Sequence, residues 1–300
     1  MTAIVLDNGI LRLRLDPDFG ARVSELTDLR TGRNWLVDGP AVGSPAQDAT
    51  FGVEQARGWD ECFPSAASCQ VDAWPMALRD HGEFWARPVE VAAASESATL
   101  TGQAGPLRFQ RTIALDGDRL TLTYRVLNEG AVAMPYLWGQ HLLIAPRDGD
   151  RLELPGIDSL DAAFLSHGGR VLPSGPVAFP DPARDGLPVL DRTHPLAADF
   201  AAKFFAPVSG EAEARVVGEN GSFTLRWNGE EVGYLGLWLD YGGWPAEAPV
   251  QQISLAPTTA PMESLAVAVE SGKASLIQPG ETREWTVAIL IDANEDVSHG

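Results

Sequence analysis

Along most of the chain, apolar and polar residues change places at every second position. Leu11, Leu13 and Leu15 alternate with Arg12 and Arg14, the signature of a strand with one buried face. Asp16-Pro17-Asp18-Phe19-Gly20 is a turn, Ala21 to Leu26 reads as the return strand, and Thr31-Gly32-Arg33-Asn34 turns the chain again before Trp35-Leu36-Val37. Short strands are expected at 89–93 and 98–102. The clearest hairpin follows: Leu107, Phe109, Arg111, Ile113 and Leu115 lead into Asp116-Gly117-Asp118, and Leu120, Leu122, Tyr124 and Val126 lead out. Met134 to Ile144 reads as one further strand, carrying His141. The period of two resumes at Phe223, Leu225 and Trp227, then at 232–240, 251–255 and Trp285, Val287 and Ile289. Segments 38–50 and 148–194 are rich in Gly and Pro and read as loops, the second with only brief strands such as 151–154. A short helix is expected only at 264–270. This pattern predicts an all-β chain: one domain over residues 1–300, a large antiparallel β-sandwich with sheets packed face to face.

Composition narrows the function classes. The chain has 300 residues, 45% hydrophobic and 21% charged, with a formal net charge of −19. That charge repels phosphate backbones and anionic lipid, which argues against nucleic-acid and membrane-surface partners. Two cysteines, Cys62 and Cys69, are too few and too poorly spaced for a structural zinc site, and no metal or organic cofactor motif occurs. The first residues lack a charged segment followed by a long apolar run, and no stretch approaches a membrane span. A cytoplasmic protein with reduced thiols is therefore expected.

Three dense stretches carry candidate chemistry. The first is Asp80-His81-Gly82-Glu83-Phe84-Trp85-Ala86-Arg87, the second Gly58-Trp59-Asp60-Glu61-Cys62-Phe63-Pro64, and the third Trp138-Gly139-Gln140-His141-Leu142-Leu143. Carboxylates and imidazoles carry protons, amides pair with hydroxyls, and flat aromatic rings stack on the C–H faces of sugars. The set points to a carbohydrate-active protein. Catalytic candidates are His141, His81, Glu61 and Glu83; sugar-binding candidates are Trp59, Asp60, Trp85, Arg87, Trp138, Gln140 and Asp240. Simpler readings stand beside these: a polar loop with solvated charges for the first stretch, and a hydrogen-bonded core histidine for His141. Arg79 and Arg87 could grip a sugar phosphate or form surface ion pairs. Trp244 could stack on a pyranose. His167, His194 and His299 are given no role.

In its order of elements the chain resembles the aldose 1-epimerase (galactose mutarotase) superfamily. The residues that carry the resemblance are His81-Gly82, Trp138-Gly139-Gln140-His141, Tyr234-Leu235-Gly236-Leu237-Trp238, Ile253-Ser254-Leu255-Ala256-Pro257, Pro261-Met262-Glu263-Ser264-Leu265 and Leu276-Ile277-Gln278-Pro279-Gly280-Glu281-Thr282. The resemblance implies a galactose mutarotase-like supersandwich that opens and recloses a cyclic sugar or sugar phosphate. It implies His141 as the acid and His81 as a sugar ligand. It also implies a glutamate base on the strand at 253–257, where this chain has Ala256. Either another carboxylate serves (Glu61, Glu83, Asp240 or Glu263) or the protein binds sugar without epimerising it. A lyase or hydrolase using Asp60, Glu61 and Glu83 is a third reading. Glu263 could instead sit at the start of the 264–270 helix.

Overall fold

The computed structural model describes residues 2–38, 50–182, 186–219 and 221–293. The expected loop at 38–50 therefore falls mostly outside the described residues. Two large antiparallel sheets make up the molecule. The front sheet runs, strand by strand, through Ile4–Asp7, Leu11–Asp16, Arg22–Asp28, Trp59–Cys62, Gly139–Ile144, Gln251–Thr258, Tyr234–Tyr241, Phe200–Pro207, Ser159–His167 and Arg170–Val171. The back sheet runs through Arg151–Glu153, Glu211–Gly218, Gly221–Asn228, Thr282–Asp292, Arg119–Asn128, Leu107–Asp116, Ser97–Ala104 and Glu90–Ala93.

Alternation sorts the side chains. Phe109, Ile113, Leu122, Tyr124, Phe223, Leu225, Val287 and Ile289 are buried on the back sheet, and Leu13, Leu142, Ile253, Leu237 and Phe204 on the front one. The hairpin at 107–128 is as expected, with Leu115 opposite Leu120 and Asp116 opposite Arg119. The helix is Leu265–Glu270, with Ser264 capping it by accepting from the Val267 N–H at 3.5 Å.

Three expectations change. The stretch 134–144 is two strands: Met134–Tyr136 pairs with Ser275–Ile277, whereas Gly139–Ile144 belongs to the front sheet. The Pro-rich middle holds a nine-residue strand, Ser159–His167. Phe200–Pro207 and Glu211–Gly218 are two further strands beyond those expected; Glu211–Gly218 alternates cleanly, whereas Phe200–Pro207 does not. Phe200–Pro207 is covered on both faces, and a doubly covered strand has no polar side to alternate with.

Buried ion pairs link the two sheets. Arg111, from the back sheet, donates to Glu61 of the front sheet at 3.0 Å, and both are almost fully buried. Arg33 pairs with Asp150 and lies 3.5 Å from the centre of the Trp35 ring. Such pairs stabilise little over an apolar contact, but removing one partner leaves a buried charge and is costly.

Candidate active site

The two faces of the front sheet do different things. In an antiparallel ladder, residues opposite each other share a face. His141 is opposite Asp60, and the register Gly139–Thr258 and Leu143–Ser254 places Ala256 on its other side. Ala256 in turn faces Gly236, and Gly236 faces Phe205. One row across the outer face thus reads Asp60, His141, Ala256, Gly236, Phe205. The next reads Leu143, Ser254, Trp238, Lys203, Phe164. A third contains Gln252, Asp240 and Ala201. A solvent-open cleft lies over these rows. His81, His141, Asp80, Lys203, Glu263, Trp238, Trp244, Gln252 and Phe51 line it. A smaller recess opens beside His141, lined by Ala256, Gly236, Ser254, Lys203 and Glu263. It exists because positions 256 and 236 carry the two smallest side chains in the row.

His81 comes from a loop, yet it is rigidly placed. Its N–H donates to the Ala66 carbonyl at 2.8 Å, and its φ of 57° is one that side chains other than glycine seldom adopt. Gly82 follows at φ 83°, where a Cβ would lie 2.5 Å from the Phe63 backbone nitrogen, so no larger residue fits. Left-handed backbone at a non-glycine residue costs about 1 kcal/mol or more and concentrates at functional sites. The His81 ring stacks on Phe51 at 3.6 Å and meets His141 edge-on at 4.8 Å between centroids. Its Nδ1 lies 3.3 Å from Asp80 Oδ1.

His141 is the more enclosed imidazole. Burial pushes it well below its ordinary 6.5, and the neighbouring His81 adds to this, so it is neutral near pH 7. Its Nδ1 is buried and has no protein partner. Across the cleft, Lys203 Nζ is 2.9 Å from Glu263 Oε1. The Lys203 ammonium holds the Glu263 carboxyl below its usual range despite partial burial. The backbone carbonyl of Glu263 accepts from the Ala66 and Ala67 N–H groups at 2.9 and 2.8 Å. Ala66 thus bridges the two loops: its carbonyl takes the His81 N–H while its N–H binds Glu263.

Several residues singled out from the sequence lie elsewhere. Glu61 faces the interior, where its Oε1 accepts from Arg111, Tyr124 and the Trp59 indole, and Oε2 accepts from the Trp138 indole at 2.9 Å. Gln140 donates to Tyr124 Oη in the same network. Trp59, Glu61, Trp138 and Gln140 are thus one buried polar cluster, of which only Gln140 also borders the recess beside His141, and a carboxylate with four donors in the core has no route to a sugar. Glu83 is buried and accepts from the Arg79 N–H at 3.1 Å, tying off its own loop. Trp85 is buried with its indole on the Asp80 carbonyl at 2.8 Å. Arg87 donates to the Gln103 carbonyl and borders a groove beside the back sheet with Arg108 and Glu129. Asp60 is on the cleft side, buried, and bound to Arg22 at 2.7 Å.

Asp240 also belongs to the cleft-side face, fully buried. Its Oδ1 accepts from the N–H groups of Gly242, Gly243 and Trp244 at 3.1, 3.1 and 3.3 Å. Burial raises its carboxyl to about 7, against those three donors. Lys203 and Phe51 were not singled out from the sequence. Lys203 is one of the chain's rare lysines, inside an apolar run, which is the one signal that could have marked it.

No family model and no curated protein matches the sequence. Solved structures do. A galactose mutarotase-like protein from Lactobacillus casei is similar at a TM-score of 0.67, with 15% identity, over 97% of this chain and 100% of that one. A galactose mutarotase related enzyme from Lactobacillus acidophilus gives 0.65 and 13%, over 98% and 99%. A galactose mutarotase-like protein from Clostridium acetobutylicum gives 0.63 and 16%, over 97% and 95%. At such identities the likeness is one of fold. The chain has the galactose mutarotase-like sandwich fold, as a divergent example of it.

Proposed function

We propose that the protein binds a cyclic aldose in the cleft over the front sheet and interconverts its anomers by acid/base ring opening. The observation that supports this most directly is the convergence of His81, His141 and the Lys203–Glu263 pair on one cleft. Ring opening needs a base for the anomeric hydroxyl proton and an acid for the ring oxygen. Glu263, kept as a carboxylate by Lys203, is the base, supplied from a loop because Ala256 cannot serve. His81 is the acid: its ring lines the cleft beside His141, with Asp80 Oδ1 3.3 Å from its Nδ1. His141, neutral and with an unpartnered nitrogen, holds a sugar hydroxyl. This exchanges the roles expected for the two histidines, and burial is the reason. Rotation about the opened C1–C2 bond and reversal of both proton transfers closes the other anomer.

The sugar is uncharged. Among the described residues that line the cleft, Lys203 is the one cation, already paired, while Asp80, Glu247 and Glu263 are acidic. Arg79 and Arg87, which could have gripped a phosphate, are absent from the lining. Two-dimensional NMR exchange on galactose, glucose and their 6-phosphates tests the reading. The expected result is acceleration for a free sugar, lost in Glu263→Gln and His81→Gln and weaker for the phosphates. A second reading, a sugar-binding protein without catalysis, is favoured by Ala256 beside His141. Saturable sugar binding with no acceleration would select it.

A further inference from the structure

Asp240 was read from the sequence as a sugar contact, but its geometry gives it a different task. It is the next-to-last residue of the strand Tyr234–Tyr241, on the cleft-side face but with no accessible surface. One oxygen gathers three successive backbone N–H groups, ending at Trp244. A single acceptor with three donors in sequence locks the turn that follows the strand, because each rotation of that backbone would break one of the bonds. The turn is tight in a second way. A Cβ at Gly243 would fall 2.4 Å from the Phe200 carbonyl carbon, and one at Gly242 would overlap the Leu196 carbonyl, so the chain passes close to its neighbours.

Trp244 is what this turn delivers. The residue is 43% exposed and lines the cleft, and its ring meets that of Trp238 edge-on at 6.1 Å. A large aromatic ring held half out of a protein, square to a second one, is a platform for the C–H face of a pyranose. The floor beneath is polar: Gln252 is the cross-strand partner of Asp240, lines the cleft, and has a buried Oε1 with no protein partner.

We propose that Asp240 is a positioning residue that sets Trp244 as the stacking platform of the cleft and never touches the sugar itself. The proposal rests on the sugar-cleft reading for its use and on the turn alone for its mechanics, so the two are tested separately. Without sugar, the coupled Trp238–Trp244 band in the circular dichroism spectrum, defined by difference from Trp244→Phe, reports placement. That band is lost in Asp240→Ala and kept in Asp240→Asn, whose amide oxygen still accepts the three N–H groups. With galactose or glucose, Asp240→Ala and Trp244→Ala each weaken binding about tenfold, as expected for one stacking contact. The double variant is no weaker than either single one, and the anomer exchange rate at saturating sugar stays within about twofold. Additive losses, a band that survives Asp240→Ala, or an Asn variant as impaired as the Ala variant would each overturn the proposal. Should wild type bind no sugar while the bands behave as stated, the functional reading fails and the placement of Trp244 by Asp240 stands.

Discussion

Two adjacent strands carry two opposite environments. On Trp59–Cys62 and Gly139–Ile144, Glu61 and Gln140 face the interior, whereas Asp60 and His141, one residue away, face the cleft. The inward carboxylate is saturated by four donors and serves the packing of the sheets. The outward imidazole has a nitrogen left without a partner. A shift of one position exchanges a structural hub for the lining of a cleft, because the period of a strand is two. Chemically suitable residues are therefore poor guides until their face is known.

The comparison is easiest to break at its inner side. Replacing Glu61 with Ala leaves Arg111 charged and unpaired in the core, and a loss of about 3–5 kcal/mol in urea unfolding is expected. A stability unchanged within error would remove Glu61 from its role as hub. On the cleft side, stability should respond to pH through Asp240. Its folded pKa, about 7, lies above its ordinary 3.8, so between these values the native state holds a proton that the unfolded chain has released. Stability attributable to this group therefore falls as pH rises, by about 3 kcal/mol between pH 5 and pH 8, and levels off above its folded pKa. Urea titrations across that range should show the slope in wild type and its disappearance in Asp240→Asn.

Glu263 sharpens the contrast with Glu61, since its removal should cost activity and spare the fold. Glu263→Gln is expected to slow anomer exchange by about a hundredfold while the melting temperature moves little. Because Lys203 holds the Glu263 carboxyl below its ordinary value, exchange in wild type should persist into mild acid. It should fall only as pH drops through that lowered value, and Lys203→Met should move the fall upward. The smallest effect is a gain. The recess left by Ala256 and Gly236 opens beside His141, so Ala256→Glu in the Glu263→Gln background should restore exchange by about tenfold. Absence of any recovery would show that the carboxylate must come from the loop.

Much of the fold was legible because alternation is a local signal. The 107–128 hairpin and the strand at 282–292 could be placed from their own residues. Phe200–Pro207 could not, because cover on both faces erases the polar half of the pattern. The candidate site was legible in part. His81 and His141 stood out by residue type, and the structure brings their rings within 4.8 Å. Glu61, Trp59, Trp138 and Gln140 stood out equally, and nothing in their neighbours told them from the cleft residues. Lys203 escaped notice because its partner is sixty residues downstream in another element.

By itself, the sequence determined the class of structure, the face-to-face sheets, and the fact that position 256 cannot supply a proton acceptor. Each follows from side-chain type and period, which act over a few residues. The tertiary structure alone decided which face of each strand meets the cleft, which imidazole is buried enough to stay neutral, and which carboxylate is within 3 Å of an ammonium. Those outcomes depend on register, on burial and on loops that meet only after the sheets are assembled. Electrostatics and desolvation act through space, and space is what the order of residues leaves unspecified.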